Sequence, residues 1–260
     1  MARVDSPSNP RIAEAIRQLR DGTLFPLEGP RITAEALDAG IRTGEAFYLR
    51  GSVEDALLTR LEEAGSTLQE VSPRVLTRLS DLPSTRGLVV LAPPPLTSLD
   101  DLLLPSSGLA VILDEVQDPA NVGVMLRSAA AFGAGAAVLT AGCARPFSAR
   151  AFRASAGGAL RLPIAAGVTP EEALDWARSR GAVLVGAEAH GGESPERTAS
   201  RRPLALVIGS EGHGISAVLQ TALDVRVTIP LRPGVESLNA GVALGVLLYV
   251  LSSKVSASKR

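Results

Sequence analysis

Residues 109–142, LAVILDEVQDPANVGVMLRSAAAFGAGAAVLTAG, decide the fold. The opening LAVIL is a continuous apolar run without alternation, the pattern of a strand covered on both faces. AAVLTAG near the end repeats that pattern. Between the two runs lies a stretch of small apolar residues that reads as a helix packed against a sheet. Asp118-Pro119-Ala120-Asn121 forms the turn into that helix, with Asn121 where an N-cap belongs and Pro119 stiffening the approach. Arg127 interrupts the apolar helix. Gly123, four residues earlier, shares its face and leaves room beside it. On the helix alone, Arg127 either snorkels to solvent or presents its guanidinium to a phosphate or oxyanion.

Working outward, the alternation continues through LRLPIAAG, AVLVGAEA, LALVIGS and VRVTIPL. The helices fall at about 121–132, 148–157, 170–180, 215–221 and 237–252. Apolar strands alternating with helices predict a parallel α/β sheet whose ligands sit beyond the carboxyl ends of the strands. Upstream, SPSNPRIAEAIRQLRDG and PRITAEALDAG read as helices, EAFYLRG as a strand, SVEDALLTRLEEAG and LQEVSPRVLTRLSDL as helices, and GLVVLAP as a strand. The expected organisation is a smaller α/β domain over 1–92, a Pro- and Ser-rich linker over 93–107, and a larger domain over 108–260.

Composition excludes several classes. Hydrophobic residues at 46% and charged residues at 20% describe an ordinary globular chain rather than a disordered one. A single cysteine, Cys143, rules out an internal disulfide framework or a multi-cysteine zinc site, and two histidines are too few for a His-rich centre, so no metal is expected. The net charge of −1 gives no bulk argument for a polyanion partner. The halves differ, however: 11 Lys+Arg against 15 Asp+Glu over 1–105, and 15 against 12 over 106–260, which permits a basic face on the second half. AGVALGVLLYVL (240–251) is too short to cross a bilayer, which takes about 20 residues. With no signal-peptide layout at the N-terminus, a cytoplasmic protein is expected.

Three strand ends carry unusual polar groups. The first is the turn at 118–121 with Arg127. The second, LALVIGSEGHGIS (204–216), runs from strand into Gly209-Ser210-Glu211-Gly212-His213-Gly214. It has no Walker Lys-Ser/Thr, and Glu211 would repel phosphate. A loop presenting its backbone to a purine fits, as does a purely structural turn. The third, VTIPLRPGVESLNAGVALGVLLYVL (227–251), places Ser237 as an N-cap and Asn239 in the first turn of a nearly uncharged helix. Gly241 and Gly245 on that helix suit close packing against another helix, in this chain or a second subunit. There is no G-x-S-x-G. FGAGAAVL precedes a strand where a dinucleotide fingerprint must come after one, which argues against a nicotinamide dehydrogenase.

In this order and at these strand ends, DPANVGVMLRSAAAFGA, VIGSEGHGIS and IPLRPGVESLNAGVALGVLLY resemble the three motifs of the SpoU/TrmH-type SPOUT methyltransferases, over roughly 108–252. RPFSARAFRASAGGALRLPI is similar to the segment between the first two motifs, and the N-terminal residues resemble the L30e-like RNA-binding module often fused to this fold. The resemblance implies a Rossmann-like, trefoil-knotted domain that methylates ribose 2′-hydroxyls of RNA with S-adenosylmethionine. It further implies 23S ribosomal RNA ahead of tRNA, and a homodimer through the C-terminal domain. Carried over, Asn121, Arg127, Glu211, Ser237 and Asn239 are the expected catalytic set. Gly209, Ser210, Gly212, Ile229, Pro230, Leu231 and Leu238 are expected at the cofactor. Arg145, Arg150, Arg153 and Ser155 are expected at RNA. Ser210 stands where many relatives have Asn, and Gly241 where many have Ser. The alternative from another class is a non-catalytic RNA-binding or ribosome-assembly factor that keeps the fold.

Overall fold

A computed structural model describes residues 3–80, 86–105, 108–199 and 201–256. The chain divides into two compact units, Met1–Pro95 with Phe147–Ala149, and Leu96–Pro146 with Arg150–Arg260.

The first unit runs α1 (Pro10–Asp21), β1 (Phe25–Glu28), α2 (Pro30–Asp38), β2 (Glu45–Tyr48), α3 (Asp55–Glu63), β3 (Thr67–Glu70), α4 (Pro73–Arg78) and β4 (Leu88–Ala92). Its sheet has the order β1-β4-β2-β3, antiparallel except for the β2–β3 pair. Proline opens α1, α2 and α4, where its missing N–H costs nothing. Asn9 caps α1 through its side chain, and Gly22 ends that helix in the left-handed region. The LQEVSPRVLTRLSDL segment departs from the expected helix. Pro73 cannot lie inside one, so the chain splits there into β3 and the short α4. Asp81 and Leu82, at the end of that segment, lie outside the described residues.

The second unit carries β5 (Leu109–Leu113), α5 (Pro119–Ala131), β6 (Ala136–Thr140), α6 (Ala149–Ser155), β7 (Ile164–Val168), α7 (Pro170–Ser179), β8 (Val183–Ala187), α8 (Pro195–Thr198), β9 (Leu204–Ile208), α9 (Ala217–Ala222), β10 (Val225–Val227) and α10 (Ala240–Ser256). All six strands are parallel, in the order β10-β8-β9-β5-β6-β7. The apolar runs became strands, of which β5, β6 and β9 are buried at every position. One face of the sheet packs Ile112, Val138, Leu184 and Val207 against Trp176 of α7 and Leu219 of α9.

Part of the expected linker is core. Leu102 is fully buried and Leu104 nearly so, both in the cluster around Trp176. The indole N–H donates to the Leu102 carbonyl at 3.0 Å. Two leucines aimed at a hydrophobic cluster outweigh the Pro and Ser around them. Ser106 and Ser107, which end that stretch, lie outside the described residues.

The glycines of α10 find their partner within the chain. A Cβ on Gly241 would sit 3.3 Å from Val124 Cγ1, and one on Gly245 would sit 3.5 Å from Ser128 Oγ, so α10 lies close along α5. Gly123 makes a tighter approach. Its Cβ would fall 2.1 Å from the Ala151 carbonyl oxygen. Gly123 therefore admits α6 against α5, rather than leaving space for Arg127.

Candidate functional site

Beyond the carboxyl ends of β8, β9 and β10 lies a pocket of about 300 Å³. That volume is at the lower end of small-molecule sites, which run from about 300 to 1,000 Å³. Ile208, Ile215, Val227, Ile229, Leu231, Leu238 and Leu247 give it a largely aliphatic wall. Its polar side chains are Glu188, Ser210, Glu211 and Ser237. Among the described residues no group of His, Cys, Asp and Glu could hold a metal ion, and no helix is long and apolar enough to cross a membrane.

The run VRVTIPL explains one wall. Only Val225–Val227 pair as a strand. Pro230 cannot donate to a ladder, so Thr228–Leu231 leave the sheet and turn along the pocket. The amides of Ile229, Leu231 and Leu238 donate to no backbone carbonyl among the described residues, which leaves donors at a mostly apolar surface. A second wall is the loop after β9. Ser210 and Gly214 exchange backbone hydrogen bonds of 3.0 and 2.9 Å, closing a tight turn with Glu211 on it. Gly214 sits at φ +70°, and a Cβ on Gly209 would fall 2.1 Å from Gly214, so both glycines are required by the closure.

At the rim three side chains from distant parts of the chain meet. Asn121 Nδ2 donates to Glu211 Oε1 at 2.8 Å. Asn239 Nδ2 donates to the same oxygen at 3.0 Å and to Asn121 Oδ1 at 3.1 Å. Asn239 Oδ1 accepts from the amides of Gly241 and Val242 at 3.0 and 3.2 Å. Those two backbone donors fix which end of the Asn239 amide is oxygen, so its nitrogen must face Asn121 and Glu211.

These contacts correct two expected caps. Asp118, not Asn121, caps α5, its carboxylate accepting from the Ala120 amide at 3.0 Å. Asn239, not Ser237, caps α10, which starts at Ala240. In both cases two cap-competent residues lie close together in sequence. Only one of each pair stands at the helix start and takes the cap, which frees Asn121 and Ser237 for the rim and the pocket.

Of the residues expected at the cofactor, Gly209, Ser210, Ile229, Leu231 and Leu238 line the pocket, while Gly212 and Pro230 do not. Arg127 is exposed on α5 and makes no hydrogen bond or ion pair among the described residues. Its Cα is held where Gly158 packs, at 2.9 Å from the position of a Cβ there. Arg145 and Arg150 are exposed and Arg153 partly so; Arg150 lies 3.5 Å from Asp118. Ser155 differs from expectation. It is fully buried, and its hydroxyl donates to the Phe152 carbonyl at 2.7 Å, so it is satisfied by its own helix and not exposed at the surface.

Asp114 escapes the sequence reading. It is fully buried, accepts from Thr140 Oγ1 at 2.9 Å and from the Ser216 amide at 2.7 Å, and so ties β5 to β6 and to the start of α9. Beside it, the half-buried Cys143 thiol donates to the Leu113 carbonyl and accepts from the Val116 amide. Burial pushes its pKa up from 9.0 to about 11, making it a poor nucleophile at neutral pH.

The chain has close counterparts among RNA methyltransferases. A tRNA/rRNA methyltransferase of Mycobacterium avium (strain 104), uncharacterized, is 35% identical over 228 residues, covering 84% of this chain and 74% of that protein. An AdoMet-bound rRNA methyltransferase from Sinorhizobium meliloti superposes with a TM-score of 0.87 at 26% identity, covering 96% of this chain and 97% of that one. The structure of an RNA 2′-O ribose methyltransferase superposes with a TM-score of 0.79 at 30% identity, covering 96% and 98%. Residues 108–249 match the SpoU rRNA Methylase family. The chain is an RNA methyltransferase with the SPOUT-type fold. It belongs to the SpoU rRNA Methylase family.

Proposed function

We propose that the protein transfers a methyl group from S-adenosylmethionine to a ribose 2′-hydroxyl of ribosomal RNA, with 23S rRNA as the first substrate to test. The observation that carries this reading is the junction of Asn121, Glu211 and Asn239 on the pocket rim, beside a helix that carries the unpartnered Arg127. The likeness to an RNA 2′-O ribose methyltransferase and to an AdoMet-bound rRNA methyltransferase supports it.

The residues present fit the cofactor. The aliphatic wall suits a flat purine, the three amides without backbone partners suit its edge, and the lining contains no basic side chain to repel a cationic ligand. When bound, S-adenosylmethionine supplies an electrophilic methyl group on a positively charged sulfur. The remaining work falls to the chain. Arg127 grips the phosphate next to the target ribose and orients the 2′-hydroxyl. A guanidinium is always protonated, so it positions the nucleophile rather than deprotonating it. The proton leaves through that phosphate or through water, and alignment lowers the barrier. Asn121 and Asn239 hold Glu211, and with it the β9 loop, in register, and Ser237 offers a hydroxyl at the pocket. Arg145, Arg150 and Arg153 extend the RNA track.

A knotted C-terminal domain, an L30e-like N-terminal RNA module over 1–92, a homodimer and a cytoplasmic location belong to the same reading. Val242, Val246 and Tyr249 form an exposed apolar stripe on α10, which supports dimerisation through that helix. The test is methyl transfer from labelled S-adenosylmethionine to 23S rRNA and to tRNA in separate reactions, with mapping of 2′-O-methyl positions afterwards. Label on a ribose of rRNA is expected. Label on a base, or on no RNA, overturns the reading, and label on tRNA alone moves the substrate.

A further inference from the structure

The pocket holds a second carboxylate that the rim does not use. Glu188 lies just after β8, on the side of β9 away from β5 and Asn121. It is partly buried, with its side chain 26% exposed. Its backbone amide is tied to the Val227 carbonyl at 2.9 Å. Gln220 of α9 donates Nε2 to Oε1 at 2.6 Å, and Arg226 Nε lies 3.8 Å from the same oxygen. Oε2 takes no partner among the described residues. An ionised carboxylate offers about four acceptor positions, and Gln220 and Arg226 engage only Oε1, which leaves acceptor capacity for a ligand in the pocket.

The two carboxylates of the pocket are in different electrostatic states. Glu211 is met only by side-chain amides among the described residues, so its charge is uncompensated. Glu188 faces Arg226, so what it offers a ligand is acceptor capacity more than net negative charge. Neutral paired donors match that, and a cationic ammonium or sulfonium matches it less well. A vicinal diol presents two such donors. An acidic residue beyond the carboxyl end of a parallel strand commonly takes ribose hydroxyls in nucleotide-binding sheets.

On the reading that this pocket holds S-adenosylmethionine, we propose that Glu188 accepts hydrogen bonds from the ribose hydroxyls of the cofactor, with Gln220 as the positioning residue that holds its carboxylate in place. The methyl-transferring end of the ligand then faces the rim formed by Asn121, Glu211 and Asn239.

Calorimetric titration of the full chain with S-adenosylhomocysteine and with its 2′,3′-dideoxy analogue tests this without any RNA or turnover. Glu188→Gln keeps the size of the side chain and an oxygen for Gln220. It should weaken S-adenosylhomocysteine binding about tenfold, the range of a charge-assisted hydrogen bond. The dideoxy analogue should bind the wild-type protein about tenfold more weakly and should lose nothing further with Glu188→Gln. Unchanged affinity in Glu188→Gln, or equal losses for both ligands, overturns the ribose contact. Full wild-type affinity for the dideoxy analogue does so without any variant. A wild-type chain that binds neither S-adenosylmethionine nor S-adenosylhomocysteine overturns the pocket reading itself.

Discussion

Two polar clusters stitch the central strands to the loops and helices beyond their carboxyl ends, and they do so at opposite extremes of burial. Asp114, Thr140 and the Ser216 amide form one, with Asp114 and Thr140 almost wholly out of solvent. Asn121, Glu211 and Asn239 form the other, at the surface of the pocket. Inside, Asp114 is satisfied by the Thr140 hydroxyl and the Ser216 amide because an orphaned buried carboxylate is costly, and in that cluster only the Ser216 hydroxyl is left without a partner among the described residues. At the rim, water is an adequate substitute for every one of those bonds. Stability alone gives little reason to build a network there, and its residues, with Arg127 further along α5, are where chemistry is expected.

The sharpest way to break this division is Asp114→Ala. The change strips the acceptor from Thr140 and from the Ser216 amide in a buried site, and a loss of about 3 kcal/mol or more is expected. Urea unfolding measures it. Asp114→Asn, which keeps one oxygen, should lose less. If Asp114→Ala unfolds at the wild-type midpoint yet is inactive, Asp114 belongs to the chemistry and the division fails.

Arg127→Ala probes the other side. Loss of substrate positioning should reduce turnover about 100-fold, while an exposed side chain without partners should shift stability by no more than about 0.5 kcal/mol. Single-turnover methylation and urea unfolding on the same samples separate the two. Near wild-type turnover would return Arg127 to a solvated helix residue.

The two clusters also differ in how far the sequence exposes them. The strands of the second unit are legible because fully buried strands need uninterrupted apolar runs, and LAVIL, AAVLT and LALVI have no other use. The rim residues are legible as types: polar side chains placed where a sheet of this kind opens to ligands. Their pairing is not, because Asn121 meets Glu211 across 90 positions of chain and no local rule reports that. The caps elude a local reading because Asp118 and Asn121, or Ser237 and Asn239, satisfy the same rule. Asp114 and Glu188 give no signal at all. An acid just after an apolar run reads as an ordinary turn residue until the fold surrounds it.

Cys143 sharpens the buried side through pH. Its thiol is raised mainly by burial, from 9.0 to about 11. Well below pH 9 it is protonated in folded and unfolded chains alike and contributes no pH dependence. As pH rises from 9 to about 11 the unfolded chain releases the proton first, so stability falls across that window, by on the order of 2 kcal/mol. The expected observation is a steeper alkaline loss of stability in the wild type than in Cys143→Ala. Parallel curves would mean that the thiol is solvated. Slow alkylation of the native protein at pH 7.5 is the companion expectation.

Asn239 is the residue on which the two roles overlap, and the stability change expected there is the smallest that capping alone would give. It caps α10 through Oδ1 and reaches Asn121 and Glu211 through Nδ2. Asn239→Ala removes both functions and should lower stability by about 1 kcal/mol. Asn239→Ser keeps an N-cap acceptor but has no amide to reach the rim, so stability should recover while methylation stays impaired. If the two variants are equally active and differ only in stability, the rim amide is a consequence of capping. If Ser restores the unfolding midpoint but not the rate, the nitrogen serves the pocket and the oxygen the helix, so that one amide side chain carries both a structural and a chemical role.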